Sequence, residues 1–138
     1  MGRLLAIDMG QKRCGIAVTD PLRIIANPLE TVETSRLPEF VADYCRREPV
    51  DLIVVGRPLD MRGRPSDSTR FILPALGRLR KALPAGMEVV WADERFTSVL
   101  AHRAMIDGGM RRMARRDKAV VDKISAAIIL NDYITNSI

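Results

Sequence analysis

The sequence predicts an α/β fold, a mixed sheet with helices packed against it, on three observations. Two apolar runs of strand length, the first starting at Arg3 and ending on Asp8, flank the short polar turn Gly10-Gln11-Lys12-Arg13. A later run, Asp51-Leu52-Ile53-Val54-Val55-Gly56, is apolar without alternation, as expected of a central strand covered on both faces. Segments with apolar residues at 3.6-residue spacing separate the strands, which implies right-handed parallel crossovers.

In order, the run from Arg3 reads as a first strand with Asp8 at its end, and the turn Gly10-Gln11-Lys12-Arg13 returns the chain as a second, antiparallel strand. Gly10 supplies the backbone freedom of the turn. Gly15, inside the second strand, lets another group approach the backbone closely. Pro21 and Pro28 break the pattern, and Leu29 to Thr34 alternates like a third, half-exposed strand. Ser35 is placed to cap a helix carried by Leu37, Phe40, Val41, Tyr44 and Cys45, which Pro49 stops. After the central strand comes the long basic loop Arg57 to Pro65, at the strand end where open α/β sheets bind ligands.

Ser66 or Asp67 can cap a second helix through about Leu83, with Phe71, Leu76, Leu79 and Leu83 inward, and Pro74 marks its start or a kink. Met87 to Glu94 is a last buried strand that ends on two acids. Thr97 or Ser98 opens a short helix to about Ile106, which Gly108-Gly109 ends. The final helix, Ala119 to Ile134, has little polar face and carries Asp122. The resulting order is βββαβαβα.

The 138 residues suit one domain, and 47% hydrophobic content is ordinary for a folded protein. No apolar run approaches the roughly 18 residues of a membrane span, and the N-terminus lacks the apolar core of a signal peptide, so a cytoplasmic protein is expected. Cys14 and Cys45 have neither CxxC spacing nor a nearby histidine, which indicates no zinc site and no disulfide framework. A net charge of +5 favours a polyanionic partner. Much of that charge gathers in Arg111, Arg112, Arg115, Arg116 and Lys118, against Asp117.

The acids stand at three informative places: Asp8, Asp93 or Glu94, and Asp122. If the strand ends converge and the last helix crosses them, three carboxylates without counter-charge would repel, and a divalent ion resolves the conflict. Oxygen-only donors select Mg²⁺ or Mn²⁺. Two such ions about 3.5–4 Å apart would stabilise the attacking and leaving oxygens of a displacement at phosphorus. The competing structural readings are that Asp8 forms a turn, that Asp93 and Glu94 are surface residues, and that Asp122 pairs with Lys118 one turn earlier for ~0.2–0.5 kcal/mol.

Four motifs, taken together, resemble the YqgF/RuvX family over nearly the whole chain. They are Asp8 to Asp20, Gly56-Arg57-Pro58-Leu59-Asp60-Met61-Arg62-Gly63, Asp93-Glu94-Arg95-Phe96-Thr97-Ser98, and Asp122-Lys123-Ile124-Ser125-Ala126-Ala127 with Ile129, Leu130 and Tyr133. The resemblance implies an RNase H-like fold, a mixed five-stranded sheet with its second strand antiparallel and helices on both faces. It also implies a metal-dependent nuclease, using Mg²⁺ or Mn²⁺, that matures the 5′ end of pre-16S ribosomal RNA or cleaves Holliday junctions.

By motif, Asp8, Glu94 and Asp122 answer the family's catalytic, metal-holding acids, with Asp93 competing for the second role because neighbouring strand residues face opposite ways. Asp8 would bridge the metals. Lys12, Arg13 and Arg95 would hold phosphates, Thr97 and Ser98 would add hydroxyls at a helix N-terminus, and Arg111, Arg112, Arg115 and Arg116 would contact the nucleic-acid backbone. Thr19 stands where serine is common. The partner is then pre-rRNA or branched DNA, with the protein a monomer or a homodimer, the latter needed to cut both strands of a junction.

Two other classes compete. A strand-Asp-x-Gly hairpin also opens the ATPase domains of sugar kinases and Hsp70-like proteins, but those need two such domains around a nucleotide. A non-catalytic RNase H-like module would bind nucleic acid without cutting it.

Overall fold

The computed structural model describes residues 2–10, 12–57, 69–93 and 118–136. Strands β1 (Arg3–Met9) and β2 (Arg13–Thr19) form the expected hairpin, with Leu5 opposite Val18 and Asp8 opposite Gly15. Strand β3 (Ala26–Glu33) continues the meander on β2. Helix α1 (Leu37–Arg47) then carries the chain across to β4 (Val50–Arg57), which lies parallel to β1. After α2 (Thr69–Ala82), β5 (Glu88–Asp93) adds in parallel beyond β4. Helix α3 (Lys118–Asn136) closes the described chain.

The sheet order is β3-β2-β1-β4-β5, so β1 is central and β3 and β5 are the edges. The strands' alternation builds two separate cores. Leu5, Ile7, Ile16, Val18, Ile53 and Val55 meet α1 and α2 on one face. Leu4, Ala6, Ala17 and Val54 meet Ala126, Ile129 and Leu130 of α3 on the other. The small alanines on the second face let a helix lie close to the sheet, which matters for the site.

Two expectations are corrected. The third strand begins at Ala26 rather than Leu29 and runs through Pro28. Proline is tolerated there because β3 is an edge strand and the register shifts opposite Ile16 and Ala17. Ser35 does not cap α1: it lies in a 3-10 turn (Thr34–Arg36), and Arg36, with no side-chain cap bond, precedes a helix whose second residue is Pro38. Proline in a first turn forfeits no helical bond, so the start needs less help from a cap. Of the two placements expected for Pro74, at the start of α2 or within it, the structure has the internal one. On that helix Ile72 and Ala75 are buried alongside the expected Leu76 and Leu79, while Leu83 lies past the helix end and is partly buried. The α3 helix is buried along one stripe, Ser125 to Ala127 with Ile129 and Leu130, and Ile124 and Ile128 are only half-buried.

The expected caps Ser66 and Asp67, most of the loop from Arg57 to Pro65, the short helix from Thr97 or Ser98 to Ile106, and the Arg111–Arg116 run lie outside the described residues. Among the described residues no helix is long and apolar enough to cross a membrane.

Candidate metal centre at the strand ends

Asp8 is the penultimate residue of β1, and parity puts it on the same face as Leu4 and Ala6, under α3. It is one of three buried polar residues of the described chain, at 8% exposure. Its neighbour across the hairpin is Gly15, with Cα atoms about 5 Å apart in such a pair. The missing side chain at Gly15 is what brings the third element in. A Cβ there would overlap the Asp122 carbonyl and lie 2.7 Å from the Lys123 nitrogen, so the α3 backbone rests directly on the β2 backbone. The close approach expected at Gly15 is therefore made by the stretch that carries Asp122.

Asp8 and Asp122, 114 positions apart, thus flank one glycine. Their charges converge on a third group, the Cys14 thiol, which is pushed above its ordinary value first by burial and then also by the negative charge of both aspartates. Asp122 Oδ2 accepts a hydrogen bond from Arg13 Nε at 3.3 Å, an ion pair joining residues 109 positions apart. Arg13, expected to hold phosphate, pairs with a carboxylate in this structure, and the Lys118 side chain, the partner a structural reading gave Asp122, lies outside the described residues. One turn further along α3, Ser125 is only 1% exposed, and its hydroxyl has no hydrogen-bond partner among the described residues. Sequence reasoning did not single out Ser125 by itself; its place three residues after an acid, on a helix with little polar face, was the available signal.

The remaining expected site residues divide simply. Lys12 is described and exposed in the turn between β1 and β2. Glu94, Arg95, Thr97, Ser98, Arg111, Arg112, Arg115 and Arg116 lie outside the described residues. Among the described residues no group of three or more His, Cys, Asp or Glu is arranged to hold a metal. The two described acids nonetheless suit one: they are carboxylate donors at neighbouring points, a set that matches a hard divalent cation. On β5, Val90 and Ala92 join the core beneath α3 and Val89 joins the opposite one, so even-numbered positions share the face of Asp8.

The wider surroundings agree. The family model described as "RuvX: Holliday junction resolvase" matches residues 2–136. A protein of Phocaeicola vulgatus named "Putative pre-16S rRNA nuclease" is 52% identical over 134 residues, covering 97% of this chain and 96% of that one. A protein of the same name from Porphyromonas gingivalis is 48% identical over 136 residues, covering 99% and 98%. Among solved structures, Thermus thermophilus RuvC bound to a Holliday junction superposes with a TM-score of 0.60 at 18% identity, covering 99% of this chain and 96% of that one, which makes the fold RNase H-like. With a model matched almost end to end and relatives near half identical, the chain belongs to the RuvX family.

Proposed function

We propose that this protein is a divalent-metal-dependent nuclease that hydrolyses phosphodiester bonds at the 5′ end of precursor 16S ribosomal RNA in the cytoplasm. The observation that carries the reading is the meeting of Asp8 and Asp122 across Gly15 at the C-terminal ends of parallel strands. The substrate rests on the names of the curated relatives.

Asp8 and Asp122 would hold Mg²⁺ or Mn²⁺ with one further acid. A ligand on the face of Asp8 calls for an even-numbered position past Ala92, which favours Glu94 over Asp93. The bound ion supplies an activated water and charge neutralisation at phosphorus. The chain's own residues do the rest. Arg13 fixes the orientation of Asp122, and Lys12, exposed in the turn, offers an ammonium to a substrate phosphate. Arg95, Thr97, Ser98, Arg111, Arg112, Arg115 and Arg116 extend that contact along the nucleic-acid backbone, making binding steeply salt-dependent.

The test is cleavage of a precursor 16S transcript with Mn²⁺, with product ends mapped. Asp8→Asn is expected to lower the rate by about a thousandfold or more while leaving RNA binding within twofold, since the lost term is transition-state stabilisation of about 4 kcal/mol. Cleavage by Asp8→Asn at the wild-type rate would remove the proposed site. The family description favours a second reading, resolution of four-way DNA junctions. Symmetric cutting of a junction in the same assay, with the transcript left intact, would select it and would require a dimer.

A further inference from the structure

The turn that follows Asp8 is held from a distance. Thr34 Oγ1 donates to the Gly10 carbonyl at 2.8 Å, and the Thr34 amide donates to the Lys12 carbonyl at 2.9 Å. Cys14 Sγ lies 3.4 Å from the same hydroxyl. Thr34 has one hydroxyl proton, and the Gly10 carbonyl, which can only accept, takes it. The thiol must then be the donor, giving a directed chain from Cys14 S–H to Thr34 O–H to Gly10 C=O. Burial, which raises the Cys14 pKa, keeps that thiol protonated at neutral pH. A Cβ on Gly10 would run into the Arg13 carbonyl, so the backbone at Gly10 and at Arg13 lies close together.

One residue, 24 positions past Gly10, therefore pins the carbonyls on both sides of Gln11. Asp8 lies two residues before this latch and Arg13, which orients Asp122, one residue after it. We propose that Thr34 is a positioning residue for the nuclease reaction, fixing the Gly10–Lys12 turn so that Asp8, Lys12 and Arg13 keep one mutual geometry. The inference rests on the reading of Asp8 and Asp122 as the reaction centre. A hydroxyl is needed rather than bulk, since valine has the same shape and no donor.

The experiment measures steady-state cleavage of the precursor 16S transcript with Mn²⁺ by wild type, Thr34→Val, Thr34→Ser and Asp8→Asn, beside their melting curves. Thr34→Val is expected to lower kcat about tenfold with KM changed less than twofold, because a small displacement of reacting groups costs rate rather than binding. Thr34→Ser, which restores the hydroxyl, is expected within twofold of wild type. If Thr34→Val is unfolded at the assay temperature, Cys14→Ala replaces it; removing the donor that fixes the hydroxyl is expected to lower kcat about threefold. A Thr34→Val protein that is folded with wild-type kcat, a loss that serine does not rescue, or a Cys14→Ala protein with wild-type kcat would overturn the inference. Those outcomes leave the reaction centre standing as long as Asp8→Asn is inactive, whereas active Asp8→Asn removes the centre itself.

Discussion

The two ends of this sheet treat their aspartates in opposite ways. At the base, where β1 begins, Asp20 accepts hydrogen bonds from the amides of Leu22 at 3.2 Å and of Ile24 and Ile25 at 2.9 Å each. Its carboxyl is held below the usual range, chiefly by the Ile25 amide. Asp51 accepts from the Gly2 amide at 2.8 Å and pairs with Arg23, and its carboxyl is likewise lowered, chiefly by the Gly2 bond. Asp20, half-buried, locks the turn after β2, and Asp51, exposed on β4, ties down Gly2 and Arg23. They even hold Arg23 at a φ of 60°, a left-handed conformation unusual for arginine. At the other end, Asp8 is buried beneath α3, and Asp122 accepts from the Arg13 guanidinium at 3.3 Å. Asp20 and Asp51 are fixed by backbone amides, whereas Asp122 is brought over Gly15, the neighbour of Asp8, by a close approach of two backbones.

The largest effect expected from this contrast comes from Gly15→Ala. The added methyl meets backbone of α3, which cannot yield as a flexible side chain would, so a loss of about 3 kcal/mol or more is expected on denaturant unfolding, together with loss of cleavage. A stable, active Gly15→Ala would show that α3 does not rest on β2.

The base offers a matched test. Thr19 is fully buried, and its hydroxyl accepts from the Leu4 amide at 2.9 Å. Thr19→Val should cost about 2 kcal/mol by stranding that amide, while Thr19→Ser keeps the bond and should cost about 1 kcal/mol for the lost methyl. Cleavage per folded molecule should be unchanged in both. Equal losses in the two variants would show that the hydroxyl carries no weight.

Beneath the site, Ser125→Ala removes a buried hydroxyl with no described partner, so equal or higher stability is expected, by up to about 1 kcal/mol. A measured loss would mean that the hydroxyl is in use.

The smallest effect is read against pH. Since folding lowers the Asp51 pKa, its contribution is present above the unfolded value of about 3.9 and fades as pH falls through the folded one. The melting temperature of Asp51→Asn should therefore lie below wild type at pH 7, with the gap closing below about pH 4. A gap that stayed constant to pH 3 would assign the difference to something other than ionisation.

Much of the candidate site was legible in the chain. An apolar run ending on an acid, a polar turn and a second run carrying a glycine announce β1, β2, Asp8 and Gly15, because strand alternation and glycine's missing side chain are local properties. That α3 is an apolar helix carrying Asp122 was visible for the same reason, but not that Ile124 and Ile128 would be only half-buried. The start of β3 was not, because whether Pro28 can join a strand depends on that strand lying at an edge beside a register shift. The face parity of β5 also needed the sheet, since it has meaning only once Val90 and Ala92 are seen beneath α3.

The sequence by itself determined the elements, their order and the residue types able to hold a hard cation, because these follow from periodicity and side-chain chemistry. Only the tertiary structure decided who meets whom: that Asp122 settles over Gly15, that Arg13 turns to Asp122, and that Thr34 closes on the turn after Asp8. The physical reason is that those contacts join residues 22 to 109 positions apart. Their geometry is set by how closely α3 and the start of α1 pack on the hairpin, which no local pattern of residues encodes.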